Sequence, residues 1–271
     1  MIKTITTPKE FSGRLDRFLR KSFPALPQAL IEKSIRKKCI LVNHEKQKSH
    51  CTLKEGDVIS YPTSFETFRA TQEKMQDPHL YQQFLNMIVY EDDDICVINK
   101  PYNIASQGGK NVKYSIDDMA NAGNKTYFLV HRLDKETTGL LILAKNSLSA
   151  THLMHQLQRK HLKKYYVAIT HIKPNPTSGV IIQPLHDVSA ATRYRYIKQI
   201  GSYHALLLKP YTGRKHQIRL HLKDVLTTPI IGDKKYGGLE HKRMLLHAYK
   251  LKIPMKHKML TIKTYPQFDL T

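Results

Sequence analysis

Residues 130–146 read VHRLDKETTGLLILAKN and place one carboxylate, Asp134, two residues after Arg132 and directly before Lys135. An aspartate in a turn ordinarily accepts hydrogen bonds from nearby backbone amides. Two features point beyond that role. The cations beside Asp134 suit an anion that attacks, not an acid that donates a proton. The run from Leu140 to Ala144 is apolar at every position. It therefore reads as a central, buried strand that holds the turn rigidly.

A second segment with chemical potential is KPYTGRKHQIRLHL, residues 209–222. Arg214, Lys215 and His216 follow a Thr212-Gly213 turn. If the rest is extended, Gln217, Arg219 and His221 share one face. If it is helical, His216 and Arg219 align instead. In both cases Arg219 leaves an apolar element and needs a carboxylate partner. His216 and His221 lack the HExxH spacing and have no acidic neighbour, so no metal site is expected. Cys39, Cys51 and Cys96 form no CxxC pair and fit a reducing cytoplasm. The loop SQGGKN, residues 106–111, lacks the pattern of a nucleotide-binding P-loop, so no nucleotide cofactor is expected either. In PIIGDKKYGG, residues 229–238, Gly232-Asp233 and Gly237-Gly238 read as loop formers.

The elements that position these residues follow from periodicity. GRLDRFLRKSF and QALIEKSIRKK have helical spacing, with Pro24 and Pro27 between them. CILVN and KEGDVISYP read as short strands, giving a compact unit over residues 1–62 and a linker over 63–80. MIVYEDDDICVINKP reads as a hairpin that opens a larger domain, residues 81–271. Ala150, Leu153, Met154 and Leu157 mark a helix with one buried face. KKYYVAIT is a strand; TRYRYIKQIGSYHALLLKP and YKLKIPMKHKMLTIKTYP are hairpins. The expected fold class is mixed α+β, with a large, mainly antiparallel sheet flanked by helices and a small αα-ββ module in front.

Charge suggests the partner. The net charge is +22. It divides into +7 for residues 1–62, −4 for 63–100 and +19 for 101–271. No apolar run is long enough to span a membrane, and no apolar signal segment opens the chain. A polyanion, above all nucleic acid, is the expected partner. The helix dipole accounts for one cation among Arg36, Lys37 and Lys38; three together suggest phosphate contacts.

HRLDKETTGLLILAKN, TGRKHQIRLHL, PIIGDKKYGG and RMLLHAYKL occur in this order and resemble the signature segments of the RluA family of pseudouridine synthases. The resemblance covers essentially the whole chain. Residues 13–60 resemble the S4-type RNA-binding module that many members carry, and with the GG loop the chain is most similar to the RluC type. The resemblance implies a monomeric, cytoplasmic bacterial enzyme that isomerises uridines in large-subunit ribosomal RNA without a cofactor. It further implies that Asp134 is the catalytic carboxylate, that Tyr166 (beside Tyr165) handles the proton at the base, and that Arg219 pairs with Asp134. Arg132, on this analogy, helps extrude the nucleotide and Leu245 forms an apolar wall. His131, Arg214, His216 and Gln217 are expected to line the substrate site. Asp134 as covalent nucleophile and Asp134 as a base leading to a glycal both remain open. The pattern departs from the family at Thr138, where serine is usual, and at Lys215, where threonine is common. It also lacks a glycine before CILVN. A non-catalytic RNA-binding or ribosome-assembly protein on the same fold is the alternative, and a glycosidase would want a second carboxylate.

Overall fold

The computed structural model describes residues 2–23, 26, 28–67, 77–109, 112–255 and 258–268. Pro24 and Pro27, Lys110 and Asn111 of the glycine loop, and residues 68–76 of the expected linker lie outside the described residues.

The chain divides into two units, Met1–Met75 and Gln76–Thr271. The first runs β1 (Ile2–Thr6), β2 (Gly13–Arg14), α1 (Leu15–Ser22), α2 (Gln28–Arg36), β3 (Leu41–Val42), β4 (Thr52–Leu53), β5 (Val58–Pro62) and α3 (Ser64–Thr67). Both expected helices are present, and β1, which the sequence did not announce, pairs antiparallel with β5. Helix α1 carries Asp16 in its first turn and Arg20 and Lys21 in its last, matching the helix dipole. Its apolar face, Leu15, Phe18 and Leu19, packs with Ile31, Ile35, Leu53 and Ile59 in one core. Where a glycine was missed before the third strand, Lys38 itself takes a positive φ of 65°.

The second unit holds α4 (Pro78–Leu85), β6 (Ile88–Glu91), β7 (Ile95–Lys100), α5 (Ile116–Ala120), β8 (Phe128–Leu129), β9 (Thr138–Ala144), α6 (Ser147–Gln158), β10 (Lys163–Thr170), β11 (Ser178–Ile182), β12 (Ala191–Ile200), β13 (Tyr203–Pro210), α7 (Gln217–Asp224), β14 (Leu246–Pro254) and β15 (Met259–Lys263). The strands form one sheet in the order β11, β12, β13, β10, β14, β9, β7, β6, with β15 added to β14 and β8 to β9. Every pairing is antiparallel except β9 with β14.

All seven residues of β9 are buried, as its apolar run predicts. Alternation sends Leu141 and Leu143 into one core and Leu140, Ile142 and Ala144 into another. The first core includes Phe84, Ile116 and Met119 from the helices α4 and α5. The second takes Ala150 and Leu153 from α6, whereas Met154, expected on the same buried stripe, is exposed. The β9–β14 contact is short: only Thr138 and Gly139 pair with His247 and Ala248. Beyond it, β14 takes β15 along the same edge and β9 takes β8, so the sheet forks just after the turn that carries Asp134.

Candidate active site

Asp134 sits four residues before β9, in a turn closed by a hydrogen bond from the Thr137 amide to the Asp134 carbonyl. The turn is anchored from three sides. Thr138 Oγ1 lies 2.8 Å from Nδ1 of the buried His247, whose Nε2 donates to the Thr264 carbonyl. Gly139 has φ of +104°, and a Cβ there would stand 2.4 Å from the Ala248 carbonyl oxygen, so only glycine fits where β9 meets β14. Lys100, fully buried at the end of β7, donates from Nζ to the carbonyls of Pro101, Ile104 and Lys135. Burial pushes its ammonium down to about 7, against the opposing charges of Glu136 and Asp134. Sequence patterning did not single out Lys100; a charge at an inward position of a strand was the available signal.

The segment that left strand and helix open is helical: α7 starts after His216, which adopts a left-handed φ of 54°. His216 and Arg219 therefore fall on one side, as the helical alternative required. Arg219 Nη1 approaches Asp134 Oδ2 at 3.6 Å and Glu136 Oε2 at 3.6 Å. Its main partner is a different carboxylate. Nε and Nη2 donate to the two oxygens of Asp233 at 2.7 and 2.8 Å, with Arg219 4% and Asp233 1% exposed. Burial favours loss of the guanidinium charge, but the Asp233 hydrogen bonds and charge, with Asp134 and Glu136 behind them, hold its pKa above the usual value. Asp233, read from sequence as loop chemistry, is thus the fixed anchor of the site, and Asp134 takes the remaining edge of the same guanidinium.

Tyr236, from the same loop, completes the arrangement. Its hydroxyl lies 2.7 Å from His216 Nδ1, and its ring lies under the Arg219 guanidinium at 4.9 Å. His216 Nε2 in turn faces Asp134 Oδ1 at 3.8 Å. Burial lowers the His216 pKa, and Asp134 opposes that shift.

Asp134, Arg132, His131, Tyr166, Arg214, His216, Gln217 and Arg219 all line one cleft of about 1080 Å³. Tyr166 belongs to β10 and is buried beside Leu208, Leu246 and Ala248. Burial raises its phenol pKa, and the Asp134 charge adds to that, so the hydroxyl keeps its proton. Tyr165, its neighbour, is not among the lining residues.

Two residues expected to contact the substrate also hold the fold together. Gln217 is 4% exposed. Its amide accepts from Thr212 Oγ1 and the Arg214 amide and donates to the Ala191 carbonyl and Thr192 Oγ1, so no polar atom is left for a ligand. His131 Nε2 accepts the Ile142 amide, the bond a longer β8 would have made; burial holds the ring neutral, with a pKa near 3. Leu245, expected as an apolar wall, is not among the residues that line the cleft. It packs with Ile169, Ala205 and Ile231 in a separate core, and Leu246 lines the cleft. Arg132 and Arg214 are exposed at the cleft. Arg36, Lys37 and Lys38 belong to the first unit and are exposed. Among the described residues no cluster of His, Cys, Asp and Glu could hold a metal ion.

The model of a family described as RNA pseudouridylate synthase matches residues 94–224. Ribosomal large subunit pseudouridine synthase C of Rickettsia typhi is 36% identical, over 92% of this chain and 90% of its own length. The protein of that name from Buchnera aphidicola subsp. Acyrthosiphon pisum is 32% identical, over 87% of this chain and 83% of its own. Among solved structures, human RNA Pseudouridylate Synthase Domain Containing 4 superposes with a TM-score of 0.60 at 25% identity, covering 70% of this chain and 92% of that one.

Proposed function

The chain belongs to the RNA pseudouridylate synthase family, and from that premise we propose that it isomerises uridines of large-subunit ribosomal RNA with Asp134 as its catalytic carboxylate. The relatives that match over most of their length carry the large-subunit name. The observation that supports the site assignment is the convergence of Asp134, Arg219 and Tyr166 in one cleft.

The reaction breaks the bond between uracil N1 and the ribose C1′ and makes one from C5 to C1′; C5 loses a proton and N1 gains one. No electrons are exchanged with an outside partner. Such a reaction needs a fixed anion, a way to bring the base out of its stack, and a group that moves the proton. Asp134 supplies the anion, held toward the cleft by Arg219 and His216. Tyr166 presents a protonated hydroxyl beside it. Arg132 and Arg214, exposed at the cleft, meet RNA phosphate or occupy the space of the extruded base. Residues 1–62 act as an S4-like RNA-binding module, with Arg36, Lys37 and Lys38 toward phosphate. The working unit is one chain in the cytoplasm, and it uses no nucleotide cofactor.

Asp134→Asn tests the assignment. It keeps shape but removes the charge, while affinity rests on the basic surface. The expected result is RNA binding retained in a filter assay and no tritium released from uridine labelled at carbon 5. Release near the wild-type rate would reduce Asp134 to a turn residue.

A further inference from the structure

The strands β10, β12, β13, β14 and β15 are neighbours in the sheet and together carry nine Lys and Arg and no Asp or Glu. Their register aligns the cations. Arg193 pairs with Lys209, Lys163 with Lys252 and Lys250 with Lys263. In the middle stands Tyr165, opposite Lys250, with the Lys250 ammonium 4.1 Å and the Lys209 ammonium 5.8 Å from its ring centre. Tyr211 and Tyr249 flank the same two lysines at 4.9 and 5.8 Å. Among the described residues no acidic side chain forms an ion pair with Arg193, Arg195, Lys209, Lys163, Lys250, Lys252 or Lys263.

Alternation puts this row on the side of the sheet away from the core: Thr192 and Tyr194 are buried while Arg193 and Arg195 are exposed. Cations directly opposite one another across strands destabilise a sheet. Burial and the charges of Lys252 and Lys263 lower the Lys250 pKa, which is the trace of that repulsion. Three tyrosine rings hold the ammoniums in place by cation–π contact and leave their charge uncancelled. Lys163 and Lys209 also line the active-site cleft, so the row starts at its rim and leads away from it.

We propose that this outer sheet face is a second RNA surface, a track for the phosphates of the strand that flanks the target nucleotide as it leaves the cleft past Lys163 and Lys209. The assignment rests on the reading of the chain as an RNA-modifying enzyme. A polyanion with regularly spaced charges is the partner that relieves an unneutralised row of this kind.

The test neutralises the far end of the row and leaves the cleft intact, in the triple variant Lys250→Gln, Lys252→Gln, Lys263→Gln in the full chain. Two probes are used: an oligouridylate just long enough to fill the cleft, and a transcript of large-subunit ribosomal RNA. Affinity for the transcript should fall on the order of tenfold, and the slope of log affinity against log salt should shrink by roughly 2. Binding of the short probe and the single-turnover rate at saturating RNA should not change. The thermal midpoint should hold or rise, since like charges are removed. If the triple variant fails to fold, Lys263→Gln alone should lower the slope by about 0.7. Unchanged affinity and slope for the transcript would overturn the proposal, as would wild-type binding to phosphatidylglycerol vesicles that the variant loses while keeping RNA. Loss of transcript binding in a protein whose wild type makes no pseudouridine would keep the surface and discard the catalytic reading.

Discussion

Asp134 owes its direction to Arg219, and Arg219 owes its own to Asp233. Breaking a buried ion pair from either side leaves an uncompensated charge, which costs about 3–5 kcal/mol. Arg219→Ala is therefore expected to lose both activity and stability. Asp233→Asn should lower turnover although it touches no substrate, because Arg219 is then free to swing toward Asp134 or Glu136; steady-state turnover beside a denaturant midpoint separates the two effects. His247 adds a pH window. Burial takes its pKa from 6.5 to about 4. Between those values this histidine holds more protons in the unfolded chain than in the folded one, so its contribution to stability falls as pH drops from 6.5 toward 4. The share of His247 in that loss is about 3 kcal/mol, and His247→Asn, measured by urea unfolding at several pH values, should make the fall shallower by that amount. The motifs around Asp134, Tyr166 and Arg219 were specific enough to single these residues out, and the structure brings all three to one cleft. Asp233 and Lys100 were not singled out, because an aspartate after glycine and a lysine before proline look like turn formers until their partners are in place. Leu246 lines the cleft where Leu245 was expected, because a run of apolar residues gives no sign of which one faces the cleft.

At the scale of elements, β9 was readable outright: the unbroken apolar run from Leu140 to Ala144 admits little else, and all seven residues of the strand are buried. The hairpins β6–β7, β12–β13 and β14–β15 were equally plain from alternation around polar or glycine turns. Helix α7 was not, since QIRLHL alternates as a strand would, and its helical form depends on His216 taking a left-handed conformation that sequence does not reveal. The two-residue strands β2 and β8 carry too few residues for a period to show. The most exposed weakness of the design lies at Gly139. Gly139→Ala forces a side chain onto the Ala248 carbonyl in a backbone conformation that alone costs about 1–3 kcal/mol. We expect lowered thermal stability together with lost turnover, because the same residue closes the fork beside Asp134; thermal unfolding monitored by circular dichroism checks the first.

Over the whole molecule, the net charge of +22 was the clearest signal of an RNA partner, but composition could not say how the charge is arranged. The structure sorts part of it into a cleft and a sheet face. If residues 1–62 also meet phosphate, deleting them should weaken RNA binding and reduce its salt dependence; an unchanged slope would remove Arg36, Lys37 and Lys38 from the RNA path.

The joint between β9 and β14 also has a cost in time. Thr138 and His247 are 109 residues apart in the chain. At a synthesis rate of about 5–20 residues per second, β14 leaves the ribosome roughly 5–20 s after β9. Throughout that interval β9, apolar on both faces, waits with Thr138 and Gly139 unpaired on the side meant for β14, and an open edge is the kind of segment that recruits other chains. Nascent chains halted before residue 246 should therefore aggregate or hold on to chaperones, and chains that reach the end of β14 should not.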